Sequence, residues 1–218
     1  MTMNNFNILK NPLTKNYSDL KEIIFGPNMS WLYQKETLDH MVDRLDDYQD
    51  VPLYYHNVLQ RPETKDEYLN VNNTESRIRS GVYDRFKVVL DEIFVANNIT
   101  VKNYYRIGVN SCCNVNKPTR SPIHVDHPFP HNQLLIYLTD SSATTNIYSE
   151  KFICDSSDSK NIKFFNSYHF GGEKKEMMLK IFPNEDRIVT FDGLYYHSYD
   201  YPLNDEKRRI LIVCTYNV

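Results

Sequence analysis

Ser121-Pro122-Ile123-His124-Val125-Asp126, with the apolar run Leu134-Leu135-Ile136-Tyr137-Leu138 close behind it, is the stretch that decides how this chain folds. Both pieces read as short strands. Side chains two apart on a strand face the same way, so His124 and Asp126 share a face while Val125 takes the other. An imidazole nitrogen and a carboxylate oxygen on one face are the beginning of a metal site. The pair is weak alone, because a chain with 7 His and many Asp contains such a spacing by chance.

Working outward, the texture on either side is that of strands. Candidates are 101–109, 121–126, 133–139, 145–149, 177–181, 187–190 and 209–216, separated by Pro, Asn, Asp and Ser clusters. Short strands at close spacing without intervening helices argue for an antiparallel sandwich or barrel and against βαβ units. The expected class is mainly β (α+β), a double-stranded β-helix of jelly-roll, cupin-like type over 100–218, braced by helices from 1–99 in a single domain. Upstream, 17–25 reads as a helix capped by Ser18 and stopped by Gly26-Pro27, and 37–48 as a second. Val82, Phe86, Val89, Leu90, Ile93 and Phe94 mark an amphipathic helix over 82–97, ending at Asn97-Asn98. Residues 1–10 read as a loose start, 31–33 as a brief strand and 51–59 as extended. The polar stretches 61–79 and 155–175 read as a flap and a lid, and 51–79 with 155–175 as the frame of an entrance.

Composition narrows the function classes. At 218 residues there is room for one continuous core. Basic and acidic side chains number 25 and 28, for a net charge of −3, which gives no general attraction to nucleic acid or anionic membrane. Neither a secretory signal nor a run long enough to span a bilayer is visible, so a cytoplasmic location without membrane partners is expected. The 4 cysteines, Cys112, Cys113, Cys154 and Cys214, lack C-x-x-C spacing and read as reduced thiols.

A second histidine, His197, follows the strand-turn unit Arg187-Ile188-Val189-Thr190-Phe191-Asp192-Gly193. With His124 and Asp126 it makes a face of two imidazoles and one carboxylate. Such a face leaves three positions open on an octahedral ion and suits non-haem iron(II) that binds a co-substrate and oxygen together. His127 and His131 compete as ligands, but Pro128 and Pro130 break the strand around them, and rim positions near an approaching substrate suit them better.

In these residues, together with Asn146-Ile147-Tyr148, Gly193-Leu194-Tyr195-Tyr196-His197 and Arg209-Ile210-Leu211-Ile212, the chain resembles the iron(II) and 2-oxoglutarate-dependent dioxygenases. Within them it is most similar to the small prolyl-4-hydroxylase-like oxygenases of phage and marine microbes. The resemblance covers about 100–218. It implies that His124, Asp126 and His197 bind Fe(II) and that a basic residue opening the last strand binds the distal carboxylate of 2-oxoglutarate. Arg209 fits that pattern better than Arg208, which would face the other way. Leu211 stands where the family often has a small hydroxyl residue. Tyr137 matches a tyrosine that touches the same carboxylate in prolyl hydroxylases, and Tyr104, Tyr105 and Asn110 lie where they would line the co-substrate pocket.

The implied reaction uses O2 to hydroxylate a peptide or small molecule, a peptidyl proline first, with release of succinate and CO2. Two other classes compete. A non-catalytic jelly-roll metal-binding or structural protein predicts no 2-oxoglutarate turnover, and a zinc hydrolase gives the basic residue on the last strand no role.

Overall fold

The structure, a computed structural model, describes residues 6–35, 51–61, 76–127, 129–153 and 175–218. The expected helix over 37–48, most of the 61–79 flap, the 155–175 lid but for its last residue, and Cys154 lie outside the described residues. The described strands are β1 (Phe6–Leu9), β2 (Leu32–Gln34), β3 (Leu53–Gln60), β4 (Arg77–Ile78), β5 (Asn103–Cys112), β6 (Asn132–Tyr137), β7 (Thr145–Lys151), β8 (Met177–Ile181), β9 (Ile188–Asp192), β10 (Tyr195–Tyr199) and β11 (Ile210–Asn217). They form two antiparallel sheets. The larger runs β1-β9-β6-β11-β5-β3-β2, with β4 on β3; the smaller runs β10-β7-β8. Residues 120–124 extend the smaller sheet alongside β10 through two bridges, Arg120 to Asp200 and His124 to His197. This is the expected jelly roll.

Strand alternation divides the large sheet into two faces with different partners. Leu134, Ile136, Ile188, Ile212 and Cys214 turn outward and pack on α1 (Lys15–Phe25) and α2 (Tyr83–Ala96) through Leu20, Ile24, Phe86, Leu90 and Ile93. Leu135, Tyr137, Val189, Leu211 and Val213 turn inward against Ile147, Ile181 and Tyr195 from the small sheet. β6 and β11 are therefore covered on both sides, which is why their sequences are continuously apolar and not alternating.

The helices follow their apolar stripes. Thr14, not Ser18, caps α1: its Oγ1 accepts the Tyr17 amide at 3.2 Å, one turn earlier than expected. α2 ends at Asn97, and Asn98 takes φ 55°, a left-handed position that asparagine tolerates.

Three strands depart from expectation. Phe6–Leu9 is no loose start but an edge strand antiparallel to β9. β10 was expected only as the strand that bears His197, without bounds of its own. The expected strand 121–126 is reduced to one isolated bridge, at His124, with Arg120 bridged just before it, because Pro122 has no N–H to give to a ladder.

Ile212 is 1% exposed at the junction of sheet and helices. Ile212→Ala should cost about 2–5 kcal/mol, the usual range for emptying a packed core position. Urea denaturation checks this, and a loss below about 1 kcal/mol would mean that the helix–sheet layer is loosely packed.

Candidate metal centre and cleft

The centre is built on one cross-strand pair. The His124 amide donates to the His197 carbonyl at 2.9 Å, and the His197 amide returns a bond of the same length to the His124 carbonyl. Directly paired residues project their side chains to the same face, so both imidazoles enter the space between the sheets with ring centroids 4.5 Å apart. Each Nδ1 lies against a carbonyl two residues back: Pro122 at 2.9 Å for His124, Tyr195 at 3.1 Å for His197. A carbonyl only accepts, so each Nδ1 carries the proton and each Nε2 keeps its lone pair for a cation. Asp126 completes the set. One ligand atom from each of His124, Asp126 and His197 lies within 4.8 Å of the others.

The donors fit a divalent metal electrostatically. Burial pushes the His124 imidazole down to about 4, with His197 adding to the shift. Burial lowers His197, His127 and His131 as well. Burial alone would raise the Asp126 carboxyl, but Arg106 and the imidazoles outweigh it and hold Asp126 well below the usual carboxylate range. At neutral pH the cluster therefore offers two neutral imidazoles and one carboxylate, the forms that ligate.

Arg106 and Arg61 complete this end of the cleft. The β5–β11 pairing shifts between Thr215 and Tyr216, so that Arg106 and Tyr104 pair with consecutive residues and Tyr105 is the extra residue of a bulge. Arg106 Nη1 reaches Asp126 Oδ1 at 3.1 Å, and Arg61 Nη1 donates to the Asp126 carbonyl at 2.7 Å. Neither arginine was singled out from the sequence. The available signal was a charged residue inside the strand Tyr104-Tyr105-Arg106-Ile107-Gly108-Val109.

Arg209 marks the other end. It is 3% exposed. Its Nη2 donates to Thr145 Oγ1 at 2.5 Å, Nη1 faces Cys112 Sγ at 3.8 Å, and Nε has no hydrogen-bond partner. The guanidinium lies 5.5 Å from the Tyr137 ring and 5.0 Å from that of Tyr199. Tyr137 Oη shares a 2.7 Å hydrogen bond with the same Thr145 hydroxyl. Burial raises both the Cys112 thiol and the Tyr137 phenol despite the neighbouring cation, so neither supplies a negative charge. A buried guanidinium without a carboxylate partner among the described residues is costly unless an anion joins it.

The other expected residues divide. Arg208 is exposed and stacks on Tyr54 at 5.2 Å, outside the cleft. Asn110 pairs in register with Leu211 and Tyr55, on the face of β5 that also carries Cys112. Tyr105 is not brought to Arg209. It sits at the far end of β5 against Phe129 and His127, with ring centroids 5.0 and 6.3 Å away. His127 and His131 are buried in that cluster and are not rim residues: His127 Nε2 bonds Thr215 Oγ1 at 2.8 Å. The His131 ring lies over Gly193, where a Cβ would come within 2.1 Å of its Nε2. Glycine is therefore needed at that turn for space.

No protein-family profile and no curated protein matches the chain. Solved structures do share its fold. A 2OG-Fe(II) oxygenase family protein from Burkholderia pseudomallei superposes with a TM-score of 0.52 at 8% identity, over 92% of this chain and 77% of its own. A prolyl hydroxylase from Trichoplax adhaerens, in complex with a hypoxia inducible factor peptide fragment, gives 0.54 at 13% identity over 98% and 84%. The epimerase SnoN, in complex with Fe3+, alpha ketoglutarate and nogalamycin RO, gives 0.52 at 10% identity over 97% and 78%. At such identities the likeness shows the fold, the double-stranded β-helix on which these oxygenases are built.

The lowered imidazoles set a pH dependence. Below about 6.5 the unfolded chain takes a proton on His124 that the folded, metal-free protein refuses until about 4. The stability present above pH 6.5 is then lost as pH falls through this window, at about 1.4 kcal/mol per pH unit for each such histidine. Urea midpoints of metal-free protein across that interval check it; a flat profile would show that the imidazoles protonate freely in the fold.

Proposed function

We propose that this protein is an iron(II) and 2-oxoglutarate-dependent oxygenase. The observation that carries the reading is the buried Arg209, without a carboxylate partner among the described residues, in the same cleft as the His124, Asp126 and His197 donors. A metal face and a dry cation on one inner surface suit a co-substrate that chelates with one end and is anchored by the other. 2-Oxoglutarate has that form.

In this reading His124 Nε2, His197 Nε2 and an Asp126 carboxylate oxygen hold the iron. Arg209 receives the distal carboxylate of 2-oxoglutarate as a charge-assisted pair, and the Thr145 and Tyr137 hydroxyls share it. Thr145 thus supplies the hydroxyl that Leu211 does not. Leu211, Val213, Leu135 and Ile147 are buried together on the inner face between the two ends and would exclude water there. When bound, iron and 2-oxoglutarate supply oxidation: O2 is consumed, one oxygen leaves in succinate formed with CO2, and the other converts a substrate C–H to C–OH. Asp126 acts as a ligand and not as an acid or base.

The substrate class stays as broad as a peptide or small molecule. A prolyl hydroxylase and an epimerase of a small molecule share the fold, and fold carries chemistry better than substrate. A hydrolase or a structural protein on the same three donors gives the buried arginine no task.

Anaerobic addition of iron(II) and 2-oxoglutarate should produce a visible metal-to-ligand charge-transfer band, with succinate formed on admitting air. His124→Ala should lose the band. Arg209→Gln should raise the 2-oxoglutarate requirement at least about tenfold, as expected for a hydrogen bond between charged groups, while Arg208→Gln leaves it within about twofold. No band with the unaltered protein sinks the reading. A larger effect at Arg208 than at Arg209 sinks the assignment of the anchor.

A further inference from the structure

We infer that the primary substrate carries a carboxylate, which Arg61 and Arg106 hold beside the metal position. The inference rests on the oxygenase reading for what occupies the cleft, and on Arg61 and Arg106 for what enters it.

The geometry gives these two side chains a common target. β3 ends at Gln60, with Leu59 opposite Ile107, so Arg61 leaves the sheet next to the bulge that carries Arg106. Both guanidinium groups converge on one residue: Arg61 on the Asp126 carbonyl at 2.7 Å, Arg106 on Asp126 Oδ1 at 3.1 Å. The Arg106 side chain is 27% exposed against 9% for Asp126, so the cation is the more accessible member of the pair.

Charge makes the case. Arg61 donates to a carbonyl, which is neutral, and meets no carboxylate among the described residues. Asp126 faces Arg106 and is also a ligand, so its single negative charge is already divided. Even with Arg106 set wholly against Asp126, a divalent ion, Arg61 and Arg209 outweigh the two carboxylates of 2-oxoglutarate. Positive charge in a half-buried, low-dielectric mouth attracts an anion strongly. Two planar forks at one place favour a carboxylate, whose oxygens match them in pairs. A neutral peptidyl proline offers them carbonyls but no negative charge. A small acid, presenting the carbon to be oxidised next to its carboxylate, does.

Propionate and its neutral counterpart propionamide are suitable probes, read by saturation-transfer NMR on the Zn(II)-loaded protein with 2-oxoglutarate present. Propionate should bind saturably and propionamide should not. Arg61→Gln should weaken propionate at least about tenfold, while Arg61→Lys keeps part of the affinity because the charge remains. Equal binding of acid and amide, or propionate affinity unchanged in Arg61→Gln as for direct metal ligation, overturns the proposal. The readout needs no turnover, so the two ideas fail separately. Arg61-dependent binding without an iron(II)–2-oxoglutarate band would leave the anion site and remove the oxygenase. A normal band with Arg61-independent binding would do the reverse.

Discussion

Two main-chain hydrogen bonds between His124 and His197 hold this centre together. They tie a segment that is otherwise barely part of a sheet to β10, and they do so at the two residues whose side chains must meet. A slip of one position would turn one imidazole to the outer face, where Ile123, Val125, Tyr148 and Tyr196 cluster. The same pairing leaves the carbonyls of Pro122 and Tyr195 free to receive the two Nδ1–H groups, so backbone register also sets both tautomers. Phe191, the next inward residue on β9, stands edge-on to the His197 ring at 5.6 Å and closes the site from the large sheet.

How much of this could be read in the sequence depended on whether the signal was local. The two-sided strands β6 and β11 and the helix α2 announce themselves through composition and period, and their ends shifted by only a few residues. The His-x-Asp spacing, His197 and the better placed of two adjacent arginines were legible because alternation along a strand fixes faces. The bounds of β10 were not. Its inward Tyr195, His197 and Tyr199 and outward Tyr196 and Ser198 show no apolar alternation, although the Asp192-Gly193 turn before several tyrosines was an available sign. β1 was missed because its support comes from β9, far along the chain. Tyr105 was placed with the co-substrate because it lies on the strand before the metal pair, but seven positions of extended chain separate it from Cys112 beside Arg209, so it stands at the opposite end of β5. A bulge there, which no local pattern announced, sets Arg106 opposite Thr215. Thr145 gave no sign in sequence, since nothing distinguishes a threonine that meets a buried arginine from one on an ordinary strand.

The cleft that results has two different cationic ends. Along β11 the inward side chains run Arg209, Leu211, Val213, Thr215; along β5, their partners run Cys112, Asn110, Gly108, Arg106. Arg209 is dry, ringed by a thiol, a threonine and two aromatic rings, and its charge is effective only toward something that fills the pocket completely. Arg106 is partly in water, and screening weakens its pull on distant ions while leaving short contacts strong. The dry end therefore discriminates by shape and the wet end by charge at close range. On the proposed function, a dicarboxylate long enough to join Arg209 to the metal would be held at the first and a smaller acid at the second, with the metal donors between them.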